Sequence, residues 1–329
     1  MKQEFFKRAF ALFAAVVLIF VFGCSKSPEA TETTDPAGET QASSDSGSTT
    51  IDHSGIYNVD GTEDTSESGT YASSAEDENV VLVQNAGTLT MTSADINKLG
   101  DASGDFSAGQ SAAVAVIGGT LTLEKSNITT NALGAYGLYA GGADTVVSAS
   151  DTYLSTSGAS SAGLVSMDGG TLSFTRGTVA TEGEDSPCVL LGGSSSLTLD
   201  GVTLSAASGE LVRVLTGDNN LSINAMALSS PPVIAEDASL MLTLTNGASL
   251  SGSLGDALPP RAGISLDATS TWTLTADAYV SVFLNADATH QNIVSNGFSI
   301  YYDSNAPENE VLGGQSFSLP GGGYLVPLI

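Results

Sequence analysis

A short alternation of threonine or serine with leucine, preceded by paired glycines, decides the fold of this chain. It reads GGTLTLE at residues 118–124 and GGSSSLTLD at residues 192–200. Alternation with period two and abundant threonine are typical of a β-strand with one buried face. The glycines supply the positive φ that a tight corner requires. Each copy therefore predicts a turn followed by a short strand.

The same pattern recurs about every 25 residues from residue 80 onward. We take the first apolar residue of each copy as its anchor, and apolar residues also recur two and seven positions after it. Successive anchors are separated by 32, 26, 25, 25, 24 and 21 residues. The anchors are Leu89, Leu121, Val147, Leu172, Leu197, Leu221 and Leu242.

Three short strands per repeat, with no helical periodicity between them, predict one turn of a solenoid. Stacked turns place equivalent residues about 4.8 Å apart and complete one another's core. We therefore expect an all-β chain with a single folded domain, a right-handed parallel β-helix, the hand following the general crossover preference. The 32-residue step predicts that residues 99–111 loop out of the stack. Bulky side chains in residues 290–329 predict a C-terminal cap.

The N-terminus has the features of a secretion signal. Basic residues precede an uninterrupted apolar run at residues 9–22, which is short for a membrane span. Val21-Phe22-Gly23-Cys24 resembles the bacterial lipoprotein signal, which implies that Cys24 is acylated and binds membrane lipid. The alternative is an ordinary signal peptide, in which Cys24 has no special role.

These features divide the chain into three parts. Residues 1–23 are the predicted signal peptide, residues 24–50 a lipidated linker, and residues 51–329 the β-helix. The linker is rich in Ser, Thr and acidic residues, so it cannot bury enough apolar surface to fold, and we expect a disordered tether. The predicted location is the bacterial cell envelope, extracytoplasmic and anchored to the membrane by lipid.

The composition excludes several functions. The chain has 36 acidic and 9 basic residues, a net charge of -27, which argues against nucleic acid as a partner. Two cysteines and two histidines are too few for a disulfide framework or a typical zinc site. The acidic runs at residues 76–78 and 182–185 lack the spacing of a known calcium loop, so solvated turns are the favoured interpretation and we expect no metal or cofactor.

Four further segments carry a family resemblance. They are Gly69-Thr70-Tyr71, residues 77–80 (DENV), residues 266–274 (LDATSTWTL) and residues 319–325 (LPGGGYL). Together with the repeats between them, these segments resemble a family of bacterial right-handed parallel β-helix surface lipoproteins described as adhesin-like, with a pectate-lyase-like superfold. The resemblance implies a surface location, but the activity of this family is poorly defined.

We therefore expect a non-catalytic binding or adhesion module, with carbohydrate or a host or neighbouring cell surface as its partner. A polysaccharide lyase or glycoside hydrolase is the first alternative, and it requires an arginine and at least two carboxylates in one cleft on adjacent turns. A structural envelope protein is the second. Scattered basic residues and the absence of an Arg-x-Lys segment disfavour the enzyme. The basic residues of the repeat region are Lys98, Lys125, Arg176, Arg213 and Arg261.

Aromatic side chains are the candidate ligand-binding groups, because their rings stack on sugar faces. Tyr136, Tyr139 and Tyr153 fall within one turn, and Phe106 lies in the preceding loop. The alternative is that these rings fill a wider part of the core.

An outward column of hydroxyl residues follows the anchors at the next position. An ice-binding array is one interpretation, but the flanking columns contain residues such as Val146 and Met241, which make the face uneven. The column consists of Thr90, Thr122, Ser148, Ser173, Thr198, Ser222 and Thr243.

Overall fold

The computed structural model describes residues 52–103, 106–255 and 258–328. This part of the chain is a parallel β-solenoid of about 11 turns, with about 25 residues in each turn. Its strands form five sheets, and the only helical elements in the described residues are two short 3₁₀ helices, Phe106–Ala108 and Pro307–Leu312. The predicted all-β parallel fold is confirmed. The predicted signal, Cys24 and the tether lie outside the described residues.

Three long sheets form the N-terminal and central turns. The first sheet contains, in stacking order, Gly55–Asp60, Asn79–Gln84, Val114–Ile117, Leu138–Gly141, Leu164–Met167, Val189–Leu191, Val212–Val214 and Val233–Ile234. The second sheet contains Glu63–Ser66, Thr88–Thr92, Thr120–Glu124, Val146–Ser150, Thr171–Thr175, Ser196–Asp200, Gly217–Asn224, Ala238–Thr245, Ala262–Leu266 and Val282–Asn285. The third sheet contains Gly69–Ser73, Ala94–Lys98, Asn127–Thr130, Tyr153–Thr156, Thr178–Thr181 and Thr203–Ala206.

Two shorter sheets belong to the C-terminal turns. The fourth sheet contains Ala227–Leu228, Ser249–Ser251, Thr271–Thr273 and Ile293–Val294. The fifth contains Ala278–Val280, Ile300–Asp303, Tyr324–Leu328 and Phe317–Ser318. Phe317–Ser318 pairs with Tyr324–Leu328 in antiparallel fashion, and the other described pairings are parallel.

The strand register confirms the sequence repeat position by position. Leu89 pairs with Leu121, Leu121 with Val147, and the pairing continues through all the predicted anchors to Leu242. These side chains are at most 1 % exposed. Each fully buried Leu or Val contributes roughly 1.5–3 kcal/mol relative to exposure, so the aliphatic stack is the main stabilising feature of the solenoid.

The long turn covers part of the outer face of the first sheet. Residues 99–111 lie between two strands, as predicted, and hold the first 3₁₀ helix. Gly109 lies against the ring of Tyr139, since a Cβ built on it would come within 2.5 Å of the tyrosine Cγ. Leu82, Ala115 and Val165, which pair in one outer column with Tyr139, are fully buried. A second, smaller apolar cluster therefore packs outside the solenoid interior.

The two ends of the solenoid are sealed differently. In the first turn an anchor position holds Asp64, which accepts a 2.8 Å hydrogen bond from the hydroxyl of Tyr57. The ring of Tyr57 packs edge-on against that of Tyr71, with centroids 5.1 Å apart. Desolvation, and then the hydrogen bond to Asp64, raise the pKa of Tyr57 to about 12.

At the other end the side chain of Asn309 covers the last strand of the second sheet. Its Oδ1 accepts the backbone N–H of Phe283 at 2.8 Å, and its Nδ2 donates to the carbonyl of Ser281 at 2.9 Å. Asn309 is 1 % exposed. An open parallel edge invites strand addition, so this contact protects the end of the stack.

Candidate functional site

Two of the predicted ligand-binding tyrosines are core residues. Tyr136 and Tyr139 are 4 % and 3 % exposed, and their rings lie nearly parallel with centroids 6.3 Å apart. Burial raises the pKa of Tyr139. Gly109 covers one face of the Tyr139 ring, so neither side chain offers a free face to a ligand. Both rings are buried, but they pack in the smaller apolar cluster on the outer face of the first sheet and not in the solenoid interior.

The other two aromatic candidates have different positions. Tyr153 is 47 % exposed on the outer face of the third sheet, between Asn127 and Thr178 in the register. It remains available to a ligand. Phe106 begins the short 3₁₀ helix of the long turn, and its side chain is not among those described.

The hydroxyl column stands in register on the second sheet, as its spacing predicts. Thr65 and Ser265 extend it at its two ends. In the flanking column Val146 is 47 % exposed, so the face is uneven in the structure as well.

The regular pattern breaks where the first sheet ends. In the early turns the chain runs from the third sheet to the first and then the second, and in the late turns from the fourth to the fifth and then the second. The fifth sheet thus takes the place of the first. Between Val233–Ile234 and Ala278–Val280, the described residues of one turn contain no strand at this place.

Proline pairs flank this break. Residues 231–232, directly before the last strand of the first sheet, and residues 259–260, in the turn without a strand, are both Pro-Pro, and proline has no N–H to donate to a strand ladder. The interruption leaves a cleft of about 270 Å³ on the surface of the solenoid. Its lining consists of Pro231, Pro232, Val233, Ile234, Ser253, Gly255, Pro259, Arg261 and Ala262.

A pair of stacked tyrosines begins at the edge of this cleft. Tyr279 and Tyr301 pair in register on the fifth sheet, with ring centroids 5.0 Å apart and planes 14° apart. Their strand neighbours Ala278, Val280 and Ile300 are fully buried, so alternation places both rings on the outer face, where they are partly exposed.

The backbone of Tyr279 contacts the segment that lines the cleft. The N–H of Tyr279 donates to the carbonyl of Leu254 at 2.8 Å. A Cβ built on Gly255, which lines the cleft, would come within 2.1 Å of the Tyr279 carbonyl oxygen. The tyrosine pair therefore begins one strand away from the cleft, and Tyr301 stacks on the Tyr279 ring from the following turn.

Polar groups surround these apolar surfaces. Arg261 at the cleft wall donates from Nη1 to the carbonyl of Ala235 at 2.9 Å. Asp277, directly before the strand that carries Tyr279, and Tyr324, on the strand that pairs with Ile300–Asp303, are exposed, and the carboxylate of Asp277 accepts the N–H of Ser299 at 2.8 Å. An apolar surface with a few hydrogen-bonding groups is the usual composition of a small-molecule or sugar site.

Arg213 is the arginine that comes nearest to the arrangement required by the enzyme alternative. Its guanidinium donates to both oxygens of Glu210 at 2.7 and 2.6 Å, and to Asp185 of the preceding turn at 2.7 Å. These carboxylates, Glu210 first and then Asp185, raise the pKa of Arg213, so its guanidinium stays cationic. Such a group holds charge in place but does not serve as a base.

Arg176 forms a simpler surface contact. It binds Asp151 through two hydrogen bonds of 3.0 and 2.8 Å, and the hydrogen bonds from Arg176 lower the pKa of Asp151. Exposed pairs of this kind contribute little to stability.

Neither a metal cluster nor a membrane span occurs in the described residues. No group of three or more His, Cys, Asp and Glu side chains there is arranged to hold a metal ion. No helix in those segments is long and apolar enough to cross a bilayer.

Comparison with known proteins gave no match: no protein-family model fits the chain, and no curated protein or solved structure is similar to it.

Proposed function

We propose that this protein is an adhesin-like lipoprotein of the bacterial cell envelope, held outside the cytoplasm by acylated Cys24, that binds glycans without cleaving them. The observation that carries the proposal is the partly exposed stack of Tyr279 and Tyr301 beside the proline-bounded cleft. The predicted linker of residues 24–50 would place this site away from the membrane.

The chemistry of the site suits a sugar ring. One pyranose face is apolar and packs on an aromatic ring, while its hydroxyls need hydrogen-bond partners. The stacked tyrosines offer the apolar surface at low conformational cost, because a tyrosine has two side-chain torsions and this pair is held by its own stacking. Arg261 and Ser253 in the cleft wall supply polar groups next to that surface.

A glycan array tests the proposal. The probe is the mature chain from residue 24 with Cys24→Ser, to remove the lipid. We expect binding of some glycans, and loss of about 30-fold in affinity for Tyr279→Ala or Tyr301→Ala, the size expected when a central aromatic contact worth about 2 kcal/mol is truncated. Tyr301→Phe retains the ring and should retain binding.

Tyr153→Ala is the matched control. It removes another exposed tyrosine, on the third sheet and outside the cleft. We expect this variant to bind like the parent. Equal losses for Tyr153→Ala and Tyr279→Ala would count against the cleft, and an array without any binding by folded protein would refute the glycan proposal and favour a structural role in the envelope.

Polysaccharide cleavage is the second candidate, favoured by the meeting of Arg213 with carboxylates from two turns. It predicts release of reducing ends from uronic-acid polymers. We expect no such release, and activity that Arg213→Lys abolishes would replace our proposal.

A further inference from the structure

We propose that the ligand is a neutral, linear oligosaccharide that lies along the solenoid axis across Arg261. This inference rests on the proposed glycan-binding function and specifies its ligand class.

Arg261 is the point at which three cavities meet. It lines the cleft of about 270 Å³ at the sheet break, a second cavity of about 200 Å³, and a third of about 520 Å³. The three cavities therefore surround a single guanidinium group, and we treat them as one candidate groove.

The second cavity shows the direction of the groove. Asn220, Met241, Gly263 and Val282 all line it, and they are consecutive partners in the register of the second sheet. Four strands in register span three spacings, or about 14 Å along the axis. The groove is therefore longer than one sugar ring and suits an extended chain.

Gly263 lets its two register neighbours pack closely at the bottom of this part of the groove. A Cβ built there would come within 2.7 Å of the Met241 sulfur and 3.1 Å of the Val282 Cβ. Any larger residue would therefore displace the Met241 side chain. The groove thus has an apolar floor and wall, with Asn220 and Ser281 as polar groups at its sides.

Arg261 supplies hydrogen-bond donors in the middle of this groove. Its Nη1 is held by the Ala235 carbonyl at 2.9 Å, and within residues 52–103, 106–255 and 258–328 it makes no ion pair. A guanidinium has five N–H donors, so most of them are available to hydroxyl oxygens.

Acidic residues make the groove unsuitable for an anionic ligand. Asp218, Glu236 and Asp237 line the third cavity together with Arg261, which gives three negative charges to one positive. The whole chain carries a net charge of -27 and repels anions as well. Sugar hydroxyls suit this mixture, because a hydroxyl donates to a carboxylate and accepts from a guanidinium.

Calorimetry with oligosaccharides of defined length tests the inference. The probes are cello-, xylo- and manno-oligosaccharides of two to six units, and oligogalacturonates of the same lengths, titrated into the mature chain with Cys24→Ser. For at least one neutral series we expect affinity to rise by about tenfold or more from two to four units, and then to level off. The oligogalacturonates should bind at least about tenfold more weakly than that series.

Arg261→Gln distinguishes the groove from the tyrosine pair. This variant should lower the affinity for the neutral hexasaccharide by about tenfold and change the affinity for the disaccharide little. Tyr279→Ala should lower the affinity for both. Arg261→Lys keeps the charge but not the forked donors, and we expect partial retention of the hexamer affinity. Emission from buried Trp272 and far-UV circular dichroism verify that each variant is folded.

The outcomes separate the two proposals. If no glycan binds, here or on the array, the proposed function and this inference both fail. If oligogalacturonates bind as tightly as the neutral series, or if Arg261→Gln leaves the hexamer unaffected while Tyr279→Ala removes binding, the function stands and this inference is overturned.

Discussion

The stacking of Phe174 on Ala149 provides a direct test of the solenoid register. The two residues are partners on neighbouring turns of the second sheet, and both are at most 1 % exposed. Phe174→Ala should cost about 3–5 kcal/mol, since it removes a buried ring and leaves a cavity. Ala149→Leu adds atoms to a full interior and should cost about 1–3 kcal/mol.

The two changes should compensate each other when combined. In the double variant, the leucine at position 149 enters the space that the ring of Phe174 has vacated. The double variant should therefore be more stable than the sum of the single losses predicts, by about 1–3 kcal/mol. The sign of this coupling depends on direct contact between adjacent turns.

Urea unfolding of the four proteins measures the coupling. Far-UV circular dichroism reports on the whole solenoid, and Trp272, fully buried with its Nε1 donating to the Gly252 carbonyl at 2.7 Å, reports on the C-terminal turns. Coincident transitions by the two probes would show that the turns unfold as one unit, which the comparison of free energies requires.

A second cycle serves as the control. Leu244 is fully buried in the same interior column but four turns from Ala149, about 19 Å away. The losses of unfolding free energy caused by Leu244→Ala and Ala149→Leu should add up in the double variant to within about 0.5 kcal/mol. If the losses caused by Phe174→Ala and Ala149→Leu are equally additive, residues 149 and 174 do not contact each other, and the stacked register is wrong.

Four shorter predictions concern one turn, the two ends of the solenoid and the lipid attachment at Cys24. The Asp267 carboxylate accepts backbone N–H groups of Asn246, Thr269 and Ser270, and these hydrogen bonds hold its pKa below the usual value against desolvation. Its stabilisation is thus present above about pH 4 and lost as the pH falls, so Asp267→Ala should lower stability by about 2 kcal/mol at pH 7, and the difference from the parent should shrink steadily below about pH 4 in urea titrations. Tyr57, with its pKa raised to about 12, favours its neutral form in the fold, so stability should fall as the pH rises from about 10 to 12, and Tyr57→Phe should melt with a weaker pH dependence in that window. Asn309→Ala leaves the Phe283 N–H unpaired and opens the last strand, and it should lower stability by about 1–3 kcal/mol and promote association seen by light scattering. Cys24→Ser should abolish labelling by radioactive palmitate and move the protein out of the membrane fraction, and unchanged labelling would refute the lipoprotein prediction.

The sequence contains enough to predict the interior of the solenoid. Leu121 and Leu197 were placed on the same buried column from spacing alone, and the register agrees at every intervening turn. This succeeded because a narrow parallel stack repeats each interior environment every turn, so that apolar residues must recur with the period of the chain.

The outer face was harder to predict. Tyr139 lies on the outer side of the first sheet, where alternation indicates exposure, yet the long turn packs Gly109 onto its ring. Contacts made by an irregular insertion leave no periodic signal. Tyr279 and Tyr301 do have a periodic signal: they are 22 residues apart, as are the register partners Leu242 and Ile264, and each follows an apolar residue, Ala278 or Ile300. Because this spacing is shorter than the period of about 25 residues in the earlier turns, the earlier repeat does not align these two tyrosines.

The site lies where the repeat fails, and a physical reason connects the two. In a regular stack every outer position has an equivalent one turn away, so the surface is a set of shallow columns without a cavity. The cleft of about 270 Å³ lies where a strand is missing from the described residues. The Pro-Pro pairs at residues 231–232 and 259–260 cannot donate to a strand ladder, and Pro231, Pro232 and Pro259 line the cleft together with Val233. Replacing these prolines would allow strand pairing to continue and would close the cleft. Such variants should therefore be more stable than the parent and bind glycans more weakly.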